Sequence, residues 1–318
     1  MHDMKNANIK IAASAAASWA WGTSLVVGRS TLQTKGLMAF LIWGICNCIA
    51  LPLFSLVVHK VKPMKGIINS KPLTLFMTVI QIFSVWIQMN AIYEICMQTG
   101  FMSATVAQII SYSTAAIFIV AMYKNGLFRS IMSDQVQWGG VIVFSALICI
   151  IGWLTHSTNP TAIQMNATVD NLHWGIKSGL ILFCGPIMDI QHWQRIDYAD
   201  QQDAPRAYAL AGLMFAGYLF LVALTASLQF NAVMHVMLML AVYCVATSTL
   251  DSAAVAMQKL GGRNLGLALG LIAVATWQLV INVGVLNLWT YMGTVRLYVC
   301  VGCLALSAIL AIRNRGRA

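Results

Sequence analysis

The chain has 318 residues, 59% of them hydrophobic and only 9% charged, with a formal net charge of +10. A soluble domain carries about 25% charged residues, so this composition excludes a surface built for water and points to lipid as the solvent. The excess of Lys and Arg does not indicate nucleic acid, because the basic residues are scattered between apolar runs and form no continuous patch.

A bilayer core takes about 20 apolar residues per helix. Apolar runs at 11–28, 37–58, 72–95, 101–123, 136–154, 174–194, 207–228, 232–257, 264–286 and 289–312 predict about ten transmembrane helices, joined by short loops of which 155–172 is the longest. The first run follows Lys5 and Lys10, as in a signal peptide, but no hydrophilic mature domain comes after it, so it is read as the first span. It is rich in small residues and carries Gly22-Thr23-Ser24 near its middle. The third run holds Gln81, Ser84 and Gln88, spaced three and four apart and therefore on one helix face. Such a stripe suits a wet cavity, or a polar contact between buried helices. Glu94, near the end of that run, reads as interfacial.

The sixth run is interrupted at mid-depth by Gly185-Pro186 and followed by Asp189. Proline removes a backbone donor and crowds the preceding turn, while glycine lowers the cost of leaving helical geometry. The eighth run carries Thr247, Ser248, Thr249, Asp251 and Ser252 within six positions. Hydroxyls in a helix often bond back to the carbonyl a turn earlier, yet adjacent hydroxyls beside a carbonyl also give the hard oxygen ligands a small cation prefers. An ionisable group at mid-membrane costs roughly 2.5–3.5 kcal/mol on insertion scales, so Asp189 and Asp251 are expected to face a cavity or a partner.

With ten spans, fifteen of the nineteen Lys and Arg fall on the side of the termini, from Lys5 to Arg317; Arg29, Lys35, Lys177 and Arg296 fall on the other. The positive-inside rule then places both termini in the cytoplasm of a cell whose inner (plasma) membrane the chain crosses. Ten spans divide into five and five, at 1–154 and 155–318, and an odd number per half inverts the second half. Interrupted helices at matching places in two inverted halves point to a midplane binding site. The plainer alternatives are a proline kink in the sixth run and a close-packed small-residue face in the first.

The eight cysteines lie mostly in apolar runs, and the Cys46/Cys48 and Cys300/Cys303 pairs lack His or acidic neighbours, so they read as packing residues. There is no phosphate-cradling glycine loop with Lys-Ser/Thr, and no nucleophile with a base beside it, so neither an ATP-driven pump nor an enzyme is expected.

Three segments carry a family resemblance. Gly126 to Gln137, ending Ser133-Asp134-Gln135-Val136-Gln137, resembles the glycine-led cytoplasmic loop with Thr-Asp-x-x-Gln of the sodium–solute symporters, the group of the proline and sodium–glucose cotransporters. Gln194-Arg195, with the polar loop to Arg206, is similar to the pair that ends that family's sixth core helix. Ser248-Thr249-Leu250-Asp251-Ser252 looks like its Ser-Thr-x-x-Ser sodium-site helix. The resemblance spans the chain as the family's ten-helix core, although the usual helix before that core and the helices after it have no counterpart in these residues. It implies the leucine-transporter-like 5+5 fold with interrupted helices 1 and 6, and secondary active transport of a small polar solute coupled to Na+.

Carried across position by position, the resemblance implies sodium ligands at Val245, Ser248 and Thr249. Aligned on Trp19, it adds Ala13 and Ala16; aligned on Gly22, those two shift by one residue. Asp134 matches the aspartate linked to sodium use or release. Substrate contacts would come from Trp21, Gly22 and Thr23, from the segment Cys184 to Asp189, Gly185 and Asp189 above all, and from Gln81, Ser84 and Gln88. The family often has Asn where Asp189 stands. The expected partners are a small solute, a sodium ion and the bilayer, with no nucleic acid. Two other readings stand beside this one. A ten-helix transporter of the drug/metabolite type requires ten continuous helices, whereas a break at Gly185-Pro186 favours the symporter. A non-transporting receptor or interaction subunit on a transporter core would bind solute without flux.

Overall fold

The computed structural model describes residues 2–124, 126–159, 163–165, 167–198 and 203–315; Asp200 and Arg317 lie outside them. In chain order the helices are α1 (His2–Thr34), α2 (Leu37–Lys60), α3 (Lys62–Ile68), α4 (Lys71–Gln98), α5 (Ala104–Ala121), α6 (Gly126–Leu154), α7 (Val169–Cys184), α8 (Ile190–Tyr198), α9 (Ala204–Ala226), α10 (Ala232–Thr276) and α11 (Val285–Arg315). Among the described residues there is no strand, only an isolated bridge between Thr158 and Leu228. Helix starts follow local chemistry. Ser103, Thr168 and Asn231 accept an amide from the first turn that follows, and α3, α4 and α9 open with proline in the first turn, where a missing N–H costs nothing.

Eight of the helices are long and apolar enough to cross a bilayer. Large apolar side chains lie outward along them, among them Ile117, Val136, Phe220 and Tyr298. The chain is an all-α, multi-pass membrane protein. The run expected at 174–194 is split between α7 and α8, each too short to be a span by itself. The runs expected at 232–257 and 264–286 are joined in α10, whose axis breaks at Gly261 and Gly262, and two short 3-10 turns follow before α11. Gly262 has φ 84°, a conformation that only glycine takes without strain. A Cβ on Gly266 would lie 2.8 Å from the backbone of Gln258, so the chain doubles back there as a tight hairpin.

The core is centred on α1. The apolar window of α1 is 94% buried, against 17% for that of α11, so α1 is surrounded by protein and α11 faces outward. α1 packs against α6, α9 and α10, while α10 also packs on α4, α5 and α6. Small residues allow the closest approaches, as expected where hydrophobic transfer gives no drive between helices. Pro52 in α2 has no N–H for the Cys48 carbonyl a turn before it, and Gly212 of α9 packs directly on that carbonyl and on the proline ring. Gly175 and Gly179 of α7 sit in the same way against Ala39, Ile42 and Cys46 of α2.

Candidate functional site at the helix breaks

Two helices lose their regular geometry near the middle of the protein. In α1 the break is at Trp21, with φ 40° and ψ 148°. This is a sparsely populated conformation for a residue with a Cβ and costs about 1–3 kcal/mol unless its surroundings enforce it. Here they do. The Gly22 amide donates to Gln88 Oε1 of α4 at 2.8 Å, and a Cβ on Gly22 would stand 2.9 Å from that oxygen and 3.0 Å from Ala246 of α10. The second break lies between the end of α7 at Cys184 and the start of α8 at Ile190.

Backbone groups released at a break inside a membrane protein need partners from elsewhere in the protein. The Gly185 carbonyl accepts from Arg296 Nη2 of α11 at 3.2 Å, and the Ile187 carbonyl accepts from Trp193 Nε1 at 2.9 Å. Asp189 closes the segment. Its Oδ1 accepts from Gln81 Nε2 and from the Gln191 amide, both at 3.1 Å, and its Oδ2 accepts from Arg296 Nη2 at 2.8 Å. Gln191 Nε2 in turn donates to Gln81 Oε1 at 2.6 Å. The break is therefore tied to α4 and α11 through buried polar side chains. A Cβ on Gly185 would lie 2.5 Å from the ring of Trp19, so the two broken helices touch. Between them is a small cavity of about 30 Å³ bordered by Trp19, Trp21, Thr23, Gly185 and Arg296.

A second polar cluster lies deeper along α1, before its break. Asp134 of α6 is fully buried. Its Oδ1 accepts from Ser248 of α10 at 2.5 Å, and its Oδ2 from Ser14 of α1 at 2.5 Å and from Arg195 of α8 at 2.7 Å. Arg195 also donates to Ser14 Oγ at 2.8 Å, to Ser252 Oγ at 2.6 Å and to the Gln191 carbonyl at 3.1 Å. Asp251 lies beside it and accepts from Ser130, Ser133 and Ser252 at 2.8, 2.5 and 3.2 Å. Arg195 is ion-paired with Asp134. Asp134 thus pairs with the guanidinium directly and Asp251 is linked to it through Ser130 and Ser252, so that four segments of the fold meet on five hydroxyls.

The residues singled out from the sequence separate into these two places. Trp21, Gly22, Gln81, Gln88, Gly185 and Asp189 gather at the breaks, and Thr23 borders the cavity. Ser84 is buried and bonds back to the Ile80 carbonyl. Ser248 and Asp134 belong to the second cluster. Thr249 is buried and donates to the Val245 carbonyl at 3.2 Å, so those two oxygens are adjacent. Ala13 and Ala16 lie in the regular part of α1, more than a turn before Trp21, and the α1 side chain that reaches Asp134 is Ser14. Glu94 is partly buried and accepts from the Val285 amide that opens α11, at 2.9 Å.

Sequence reasoning assigned Ser14 and Ser130 no role of their own, named Ser252 only as part of the eighth-run hydroxyl cluster, and counted Arg195 and Arg296 with the loop charges. Both arginines are buried, with 1% and 4% of their surface exposed. Removing them from the tally leaves fourteen basic residues against three, so the charge asymmetry stands. The available signal was the position of Arg296, inside the apolar run 289–312. Comparison with protein-family models and with curated proteins finds no match for this chain.

Proposed function

We propose that the chain is a sodium-coupled secondary transporter of a small polar solute, working by alternating access. The observation that carries this reading is the pair of interrupted helices that meet near the middle of the protein, with polar side chains from α4 and α11 holding the second break open. Half-helix ends facing each other are a recurrent way to expose backbone dipoles to a solute and an ion inside a membrane.

The finer architecture belongs to the same proposal. Taking α7 with α8 as one interrupted span, and α10 as two spans on either side of Gly261-Gly262, the chain crosses ten times. The packing pairs then exchange between halves. The first span packs on the seventh (α1 on α9) as the sixth packs on the second (α7 on α2), and the third (α4) packs on α10, which holds the eighth and ninth. This pattern supports two inverted five-helix repeats in a leucine-transporter-like arrangement. The break between Cys184 and Ile190 favours it over the rival with ten continuous helices.

Sodium would sit between α1 and α10. Ser248 and Ser14 bond to the two oxygens of one carboxylate, which brings these helices together, and a hydroxyl that donates its proton keeps lone pairs for a cation. With both carboxylates ionised, Asp134, Asp251 and Arg195 sum to one negative charge. A buried net charge is costly unless paired, and one monovalent cation would balance it. The remaining ligands would be the Val245 carbonyl and Thr249 hydroxyl, with a carbonyl of α1. The Asp134–Arg195 network ties α1, α6, α8 and α10 together on the side assigned to the cytoplasm. Inward opening would require it to part. One charge crossing 100 mV supplies about 2.3 kcal/mol and a tenfold sodium gradient about 1.4 kcal/mol more, enough for several-hundred-fold accumulation.

The test is solute uptake into proteoliposomes with an imposed sodium gradient. Uptake that depends on the gradient is expected, and uptake indifferent to sodium removal would rule out the coupling. In Thr249→Ala, sodium-dependent stabilisation of the purified protein should weaken about tenfold or more, since a charge-assisted contact is worth about 1.5–3 kcal/mol. Undiminished sodium affinity in that variant would remove the assigned site while leaving the transporter reading in place.

A further inference from the structure

The cavity between the breaks is bordered by donors that have nothing to donate to. Trp21 and Trp43 are 4% and 2% exposed, and the indole N–H of each lacks a partner. Arg296 is 4% exposed; its Nη2 is engaged by Asp189 and the Gly185 carbonyl, while its Nε has no partner. All three residues border the same space. Leaving a buried donor unmet costs about 1–3 kcal/mol, and three at one cavity is a concentration that packing alone does not require. Trp19, which borders it too, shows the contrast, because its Nε1 donates to the Asn47 carbonyl at 3.3 Å.

Indole N–H and guanidinium N–H only donate, and an ionised carboxylate only accepts, with about four lone-pair sites on two oxygens. Thr23, Ser24 and Asn47 border the same space and can accept, but the three groups left unmet are all donors, and only an acceptor answers them. The cavity of about 30 Å³ offers roughly two water-sized positions, the room two carboxylate oxygens need. Beyond Val27, which borders both spaces, a larger chamber of about 210 Å³ extends between the later part of α1 and the start of α11.

We propose that the cavity is the head-group site for a small carboxylate, received by the N–H groups of Trp21, Trp43 and Arg296, with the body of the ligand directed past Val27 into the larger chamber. That the ligand is cargo rests on the transporter reading; that it binds here does not. Arg296 has two tasks in this arrangement: its Nη2 holds the α7–α8 break to Asp189 and the Gly185 carbonyl, and its Nε meets the ligand. Binding therefore bears directly on the segment whose geometry would have to change in transport.

The experiment is thermal-shift titration of the purified full-length protein, with and without sodium. The probes are glycine, L-leucine, pyruvate and benzoate, each beside its primary amide, with glucose and myo-inositol as neutral polyols. At least one carboxylate is expected to raise Tm in a concentration-dependent way while its amide does not. Trp21→Phe and Trp43→Phe keep one aromatic ring and remove the N–H with the rest of the indole, a loss of volume that the same change at Trp138 controls for. Each should weaken that binding about tenfold, whereas Trp138→Phe, a buried tryptophan packed on Tyr218 away from the cavity, should not. The proposal is overturned if an amide or polyol binds as tightly as the carboxylates, if no carboxylate binds, or if both indole variants bind unchanged. Binding without flux in proteoliposomes would defeat the transport reading and leave this site standing.

Discussion

Asp134 joins α1, α8 and α10 to its own helix through three hydrogen bonds, and its pairing with Arg195 is fully buried. Such a pair adds little net stability compared with apolar residues of the same size, but removing one member strands the other charge. Asp134→Asn and Arg195→Met are each expected to lower stability by roughly 3–5 kcal/mol. The double variant should lose clearly less than the two single losses added together. Denaturant unfolding in detergent measures this cycle, and simple additivity would show that the two side chains are not coupled. The Asp189–Arg296 pair differs in kind, because Asp189 also holds Gln81 and its own backbone, and Arg296 also holds a carbonyl freed by the break. Its charges serve the geometry of a segment, whereas those of Asp134 and Arg195 join separate helices.

At the scale of elements, three interruptions have three separate causes. The break in α1 is imposed from outside: no proline is present there, and Trp21 is held at positive φ by the fit of Gly22 between Gln88 and Ala246. The break after α7 is prepared by Gly185-Pro186 and then secured by side chains. The hairpin in α10 turns at Gly261 and Gly262, of which Gly262 takes the positive φ, with open space where a Cβ would be. Gly262→Ala should therefore cost about 1–3 kcal/mol through strain and lower Tm by a few degrees without changing ligand or ion affinity. Gly185→Ala should behave differently. Its Cβ meets the Trp19 ring, so overpacking of about 1–3 kcal/mol falls on the cavity wall, and solute binding should weaken along with Tm. Equal effects of the two variants on binding would argue that the cavity is not where the solute sits.

At the scale of the whole molecule, the charge asymmetry persists after the two buried arginines are set aside. Both termini are expected on the cytoplasmic side. A C-terminal fluorescent-protein fusion should be bright, and a C-terminal alkaline phosphatase fusion inactive. In a cysteine-free background, Ser157→Cys, in the turn after α6, should be labelled by an impermeant reagent from outside, and Asn69→Cys, between α3 and α4, should not. The reverse labelling pattern would invert the topology and with it the assignment of the Asp134 cluster to the cytoplasmic half.

Hydropathy was enough to make this chain an all-helical membrane protein, because lipid demands that long apolar runs satisfy their own backbone. Composition also exposed several site residues: Gly185-Pro186 announces its break, and Asp189, Gln81 and Gln88 are polar groups where lipid should be. Trp21 gave no such sign, since a tryptophan in a small-residue run has no local reason to leave the helix. Neither did the partnership of Ser14 with Asp134 and Arg195, whose members come from helices far apart in the chain, nor the second task of Arg296. Periodicity and polarity are local properties that a chain carries in its order of residues. Which buried charge meets which, and which donors are left facing an empty space, depends on how helices distant in sequence pack, and only the tertiary structure decides that.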